Sequence, residues 1–220
     1  MVIKPNEEFE NSEVKDNLER STAEINAEIQ KITDELVADF ETHLEDEMGY
    51  QDIVVKSEVL TTTQDYFTLK LFCYQGAVSG YQWNYFYTID LNTGERLQLK
   101  DIFKEGTDYI TPISENIKEQ MQAQMTADYN VHYWLNDEIE ECNFKTITDE
   151  TSFYVNEKDN VVISFNEGGV AVRECPYHPR PSADLPVQPL DHIVGADAGP
   201  VFAWEIAVGQ RLLNTCRIAK

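Results

Sequence analysis

The sequence predicts an α+β fold, an antiparallel sheet of hairpins covered by a long N-terminal helix and a second helix. Three observations predict it. Apolar residues recur at helical spacing in two separate segments, Ile25–Leu44 and Ile113–Met125. Between and after them, apolar and polar residues alternate at period two, in runs broken by short turn sequences. The elements come in blocks, helix, four strands, helix, two strands, which is the order of an α+β domain and not of a strictly alternating parallel one.

The first helix is expected to start at Ser21, because Ser21 and Glu24 have the spacing of a capping box. Ile25, Ile29, Ile32, Leu36, Phe40 and Leu44 then form one apolar stripe, and Gly49 sits where a left-handed stop belongs. Residues 1–20 are polar and acidic with little to bury, so they are expected to be a flexible lead-in.

Two strands follow in "DIVVKSEVLTTTQDYFTLKLFCYQG", with the turn at Thr62–Asp65. Phe67, Leu69, Leu71 and Cys73 share one face of the second strand. The next stretch, "SGYQWNYFYTIDLNTGERLQLKDIF" (Ser79–Phe103), puts Trp83, Tyr85, Tyr87 and Ile89 on one face and Asn84, Phe86 and Thr88 on the other. Gly94 supplies the positive φ of a short hairpin, after which the chain returns as "RLQLKDIF". The aromatic residues thus have a structural task, a sheet face that packs on helices.

The second helix is expected over "TPISENIKEQMQAQM", with Thr111 as N-cap and Pro112 at the first helical position, where the missing N–H costs nothing. Ile113, Ile117, Met121 and Met125 form its stripe. Residues 128–150 are acidic and irregular, anchored by Trp134, Ile139 and Phe144. A last hairpin spans Phe153–Phe165, turning at Glu157–Asn160.

Charge divides the chain. Of its 220 residues 40 are acidic and 17 basic, for a net charge of −23. The whole excess lies in residues 1–172, while residues 173–220 are neutral and hold six of the eight prolines. The domain is therefore assigned to residues 21–172. Residues 173–220 are an atypical Pro-rich tail, whose five prolines between 176 and 189 predict no helix and no central strand. A surface this acidic disfavours nucleic acid and anionic lipid and favours a basic partner.

Residues with chemical potential do not assemble into a motif. Cys73, Cys142, Cys175 and Cys216 include no CxxC, and no histidine stands at zinc spacing, so neither a metal nor a cofactor is expected. Cys73 falls within the alternating run and reads as a buried thiol. His43, His132, His178 and His192 are framed by no catalytic motif, and Asn136–Glu141 lacks the alternating ligands and central glycine of an EF-hand loop. The chain reads as non-enzymatic. No apolar run is long enough to span a membrane. For partner binding, the loop "QGAVSGYQW" stands out: Ser79, Gly80, Tyr81 and Trp83 combine accessible backbone with aromatic contact area at a strand connection. The alternative is that Gly76 and Gly80 only bend a strand.

"INAEIQKITDELVADF", "DYFTLKLF", "YTIDLNTGERLQLKDIF", "DYITPISENIKEQM" and "NVVISF", in that order, resemble the extracellular domain of RsiV-type anti-sigma factors, over Ile25–Phe165. The most specific element is similar to the family's Asp-x-x-Thr-Gly signature, at Asp90, Thr93, Gly94, Leu99, Asp101 and Phe103. The same module is similar to the non-catalytic domain that precedes some peptidoglycan deacetylase domains. The resemblance implies an extracytoplasmic sensor that recognises lysozyme, whose binding exposes the anti-sigma factor to proteolysis and frees a sigma factor. It also implies a cell-surface location, through a membrane helix that this chain does not include. The alternative it leaves is an accessory module of a wall-modifying enzyme, binding wall polymer. From about residue 170 the sequence departs from the family's pattern, which fits a frameshifted C-terminus or a genuinely divergent tail.

Overall fold

Asn11 starts the first helix, α1, which runs Ser12–Thr42; its side-chain oxygen accepts the N–H of Glu13 at 3.0 Å. In the computed structural model the described residues are 2–5, 11–43, 52–76, 80–129, 131–166, 169–170 and 184–186. The expected start at Ser21 is thus corrected. Residues 12–20 are helical, and Leu18, seven residues before Ile25, extends the apolar stripe into the core. Ser21 has no orphan N–H to cap. Its buried hydroxyl instead donates to the carbonyl of Gly94 at 2.8 Å and accepts the N–H of Arg96 at 3.1 Å. Leu44 and Gly49 lie outside the described residues.

Strands β1 (Asp52–Thr62), β2 (Tyr66–Gly76), β3 (Gly80–Asp90) and β4 (Arg96–Leu97) form an antiparallel meander in that order. The alternation held as the sequence predicts. Leu69, Leu71, Cys73, Tyr87 and Ile89 are buried against Leu18, Ile25 and Ile29 of α1, with Trp83 and Tyr85 packed at the margin. The return strand is shorter than expected. Only Arg96 and Leu97 pair, because the Asp101 carboxylate accepts the N–H of Gln98 at 2.7 Å and closes a 3-10 turn over Leu99–Ile102.

Helix α2 (Ile110–Ala127) buries Ile113, Ile117 and Met121 as its spacing predicts. Its capping group is Asp108 rather than Thr111. The Asp108 carboxylate accepts the N–H of Thr111 at 3.1 Å, which holds its carboxyl below the ordinary range. Thr111 and Pro112 lie within the first turn.

One sheet was expected; the described residues form two. Strands β5 (Phe153–Val155), β6 (Val161–Ser164) and β7 (Asp184–Pro186) make a second antiparallel sheet. With α2 it encloses a second core of Leu99, Tyr109, Tyr133, Phe144, Ile147, Phe153 and Ile163 among others. Of the three expected anchors in 128–150, Phe144 is buried and Trp134 partly so, whereas Ile139 is 54% exposed. Tyr133 and Ile147 take that role instead. Within the Pro-rich tail, Asp184–Pro186 pairs with Val162–Ser164. Among the described residues it is an edge strand, the position where a proline is tolerated.

A polar seam joins the sheets. Thr61, Thr68 and Thr88 stand opposite one another across β1, β2 and β3, all buried. The hydroxyls of Thr61 and Thr68 both reach the carbonyl of Val155, at 2.7 and 3.1 Å. Beside them the rings of Phe86 and Tyr154 stack with centroids 4.9 Å apart.

Candidate recognition surface

The β2–β3 hairpin carries the residues expected to bind a partner. Ser79 lies outside the described residues. Gly80 opens β3 opposite Gly76, and the ring of Tyr74 folds across both. A Cβ at Gly80 would stand 2.3 Å from the Tyr74 hydroxyl, and one at Gly76 2.8 Å from it. The two glycines therefore make room for an aromatic ring at the end of the hairpin, a structural duty that does not exclude binding.

Tyr81 and Trp83 come together. Being two apart on a strand they share a face, and their rings stack at 5.3 Å with planes 25° apart. Both are half-buried; Trp83 packs against the α1 core. Gln75 is the cross-strand neighbour of Tyr81, and its amide donates to the Asp39 carboxylate at 3.0 Å. This bond ties the hairpin end to the C-terminal end of α1. There Asp34, Glu35 and Glu41 are exposed, and after Lys31 the helix carries no lysine or arginine. An aromatic pair beside an acidic helix end is suited to a basic protein surface: the carboxylates attract, the rings supply contact area.

Tyr74, Gln75 and Asp39 are the residues the sequence reading missed. Tyr74 was discoverable, since a tyrosine two positions before one glycine and diagonal to another can cover both. The Gln75–Asp39 bond spans 36 residues and leaves no local pattern.

The family-like signature is structural throughout. Asp90 accepts the N–H of Asn92 through its side chain and that of Gly94 through its carbonyl. The Thr93 carbonyl accepts from the Asn17 amide of α1 at 2.9 Å. Gly94 has φ +75°, and a Cβ there would lie 2.4 Å from the carbonyl of Val14. Leu99 is fully buried, Asp101 closes the 3-10 turn, and Phe103 stacks on Tyr109 at 4.5 Å. Arg96 locks the junction, at 2.6 Å from the Glu28 carboxylate and 4.9 Å above the Tyr87 ring. The signature fixes the hairpin on α1.

Among the described residues, the perturbed groups do not gather into a reactive centre. Burial pushes the Cys73 thiol up to about 11, which keeps it protonated and unreactive. Burial, with the neighbouring Glu28 carboxylate, raises Tyr87; burial raises Tyr133 to about 12. Tyr109 rises to about 12 through burial and its hydrogen bond to Asp149. His132 meets Asp137, while Asp137 itself is held in its loop by Asn143. Among the described residues no group of three or more His, Cys, Asp or Glu side chains could hold a metal. Among them, too, no helix is long and apolar enough to cross a membrane.

Residues 100–181 match the family described as Protein of unknown function (DUF3298). The match begins at the 3-10 turn and continues into the first residues of the Pro-rich tail. Anti-sigma-V factor RsiV of Bacillus subtilis (strain 168) is 37% identical over 148 residues, 67% of this chain. The chain carries an RsiV-type module. The likeness is to part of an anti-sigma factor, the module that the chain shares with that relative. The chain spans about half the length of that relative, 51%. A crystal structure of a DUF3298 family member from Bacteroides fragilis is 18% identical, covering 73% of this chain and 60% of that one, with a TM-score of 0.45.

Proposed function

We propose that this RsiV-type module is the extracytoplasmic sensor of an anti-sigma factor and that its ligand is a basic lysozyme. In the longer protein, ligand binding opens the anti-sigma factor to proteolysis and releases a sigma factor. The observation that carries the reading is the juxtaposition of the stacked Tyr81 and Trp83 with the acidic end of α1, on a chain whose net charge is −23. Enzymes that cut anionic cell walls gain from positive charge, and a strongly negative receptor steers such a protein into encounter. Gly80, Tyr81 and Trp83, with Ser79 beside them in sequence, are the proposed contact residues.

Calorimetric titration of the chain with a basic lysozyme tests this. Binding should weaken steadily as salt rises, because the Debye length falls from roughly 10 Å at 0.1 M to roughly 3 Å at 1 M. Absence of binding, or binding indifferent to salt, rejects the lysozyme reading. Retention on purified wall polymer without lysozyme binding would establish the accessory-module alternative.

A further inference from the structure

β1 is the outer strand of the four-stranded sheet, and among the described residues no strand pairs with its free edge. It is 11 residues long, a length that leaves a long row of backbone donors and acceptors for another chain. Two of the exposed large apolar side chains lie on it, Val54 at 37% and Val59 at 48%. Lys56 and Glu58 are exposed as well, and among the described residues neither is in an ion pair.

The residue order of this edge is self-complementary. In Val55-Lys56-Ser57-Glu58-Val59, an antiparallel two-fold centred on Ser57 sets Lys56 opposite the second copy's Glu58. The same operation sets Glu58 opposite the second copy's Lys56, and each Val55 opposite a Val59. Directly opposed residues of antiparallel strands share a face, so both charge pairs and both apolar pairs form together. A two-fold contact requires this kind of self-matching surface. Leu60 is the extra residue of a bulge between Val59 and Thr61, so regular pairing stops there. We propose that the free edge of β1 is a self-association site, at which Val55–Val59 pairs antiparallel with the same five residues of a second copy.

The proposal is independent of the ligand reading, and its salt dependence has the opposite sign. Two copies at −23 each repel at long range, and salt screens that repulsion. The contact is short, so the dimer is weak and reversible. Sedimentation velocity of the 220-residue chain, over about a hundredfold range of concentration, should show a monomer–dimer equilibrium that tightens with salt.

Charge variants decide whether the β1 edge is responsible. Lys56→Glu alone opposes glutamate to glutamate, and Glu58→Lys alone opposes lysine to lysine. Each should weaken the dimer by about tenfold or more. An equimolar mixture of the two single variants should associate again, since every opposed pair is then of unlike charge. That rescue also shows that both variants are folded. The double variant Lys56→Glu/Glu58→Lys should dimerise as the parent does. A chain that stays monomeric at high concentration and high salt overturns the proposal, as does a dimer insensitive to both single substitutions. Failure of the mixture to associate, with both variants giving the parent's circular dichroism, overturns it too.

Discussion

The hydroxyl of Thr68 donates to the carbonyl of Val155 at 3.1 Å, across the interface between the two sheets. Thr68 has one proton to give, so the Thr88 hydroxyl, 3.1 Å away, donates to Thr68 in turn. With Thr61 also on Val155, a buried carbonyl that would otherwise lack solvent receives two donors. This chain of hydroxyls fixes how the meander sits on the β5–β6 hairpin.

Replacing Thr68 by valine keeps the shape and removes the middle of the chain. Val155 retains Thr61, but the buried Thr88 hydroxyl loses its acceptor. The expected cost is about 1–3 kcal/mol. Urea denaturation followed by tryptophan fluorescence measures it, with Thr61→Ser as a control that keeps a donor. A neutral Thr68→Val would show that the seam contributes nothing net.

Gly94 has two reasons to be glycine, a φ of +75° and a contact with α1 that leaves no room for a methyl group. In Gly94→Ala, the Cβ would meet backbone atoms of Val14 and Leu18, at 2.4 and 2.8 Å, and backbone cannot rotate away as a side chain can. The positive φ alone costs about 1 kcal/mol, and the clash adds to it. The variant should lose at least about 2 kcal/mol of stability, seen as a lower thermal midpoint. A variant at the alternative turn glycine, Gly106→Ala, meets no atom within 4 Å and should lose less, through its φ of +79° alone.

The Cys73 thiol sets an alkaline limit. Its pKa rises from 9.0 unfolded to about 11 folded, because burial penalises the thiolate. The unfolded chain therefore ionises first as pH increases. Stability from this group is fully present below pH 9, falls between 9 and 11, and is gone above the folded value. Cys73→Ala should flatten that part of the stability–pH curve at the cost of a small cavity. In the native chain at pH 8, peptide mapping after brief maleimide treatment should find Cys142 labelled and Cys73 protected. Rapid labelling of Cys73 would contradict its burial.

What was legible in the sequence follows from what leaves a local pattern. The meander was legible because its strands are long and one-sided, so Phe67–Cys73 and Trp83–Ile89 alternate cleanly. The β5–β6 hairpin was legible too, from its turn at Glu157–Asn160; its membership of a separate sheet with β7 was not, because Val161–Ser164 is buried at every position and shows no alternation. The start of α1 was hidden for the opposite reason: its first turns are mostly polar, and only Val14 and Leu18 mark the packed side. At the candidate surface, the composition of the loop pointed to Gly80, Tyr81 and Trp83. The acidic partner of that loop depended on Gln75 meeting Asp39, a tertiary contact between a helix end and a strand end.

Tyr81 and Trp83 should separate binding from folding. Trp83 packs on the α1 core, so Trp83→Ala removes buried area and should destabilise the chain by about 2 kcal/mol or more. Tyr81 stacks on Trp83 outside that core, and its loss should cost the fold about 1 kcal/mol or less. If the hairpin end and the acidic end of α1 form one recognition surface, Tyr81→Ala should raise the dissociation rate of a basic lysozyme at least about tenfold. Reversing Asp34 and Glu35 to lysine should act on the other step, slowing association at low salt and losing its effect at high salt. Surface plasmon resonance resolves the two. A Tyr81→Ala protein with parental stability and parental dissociation would move the contact away from this hairpin, even if the charge reversals still slowed association.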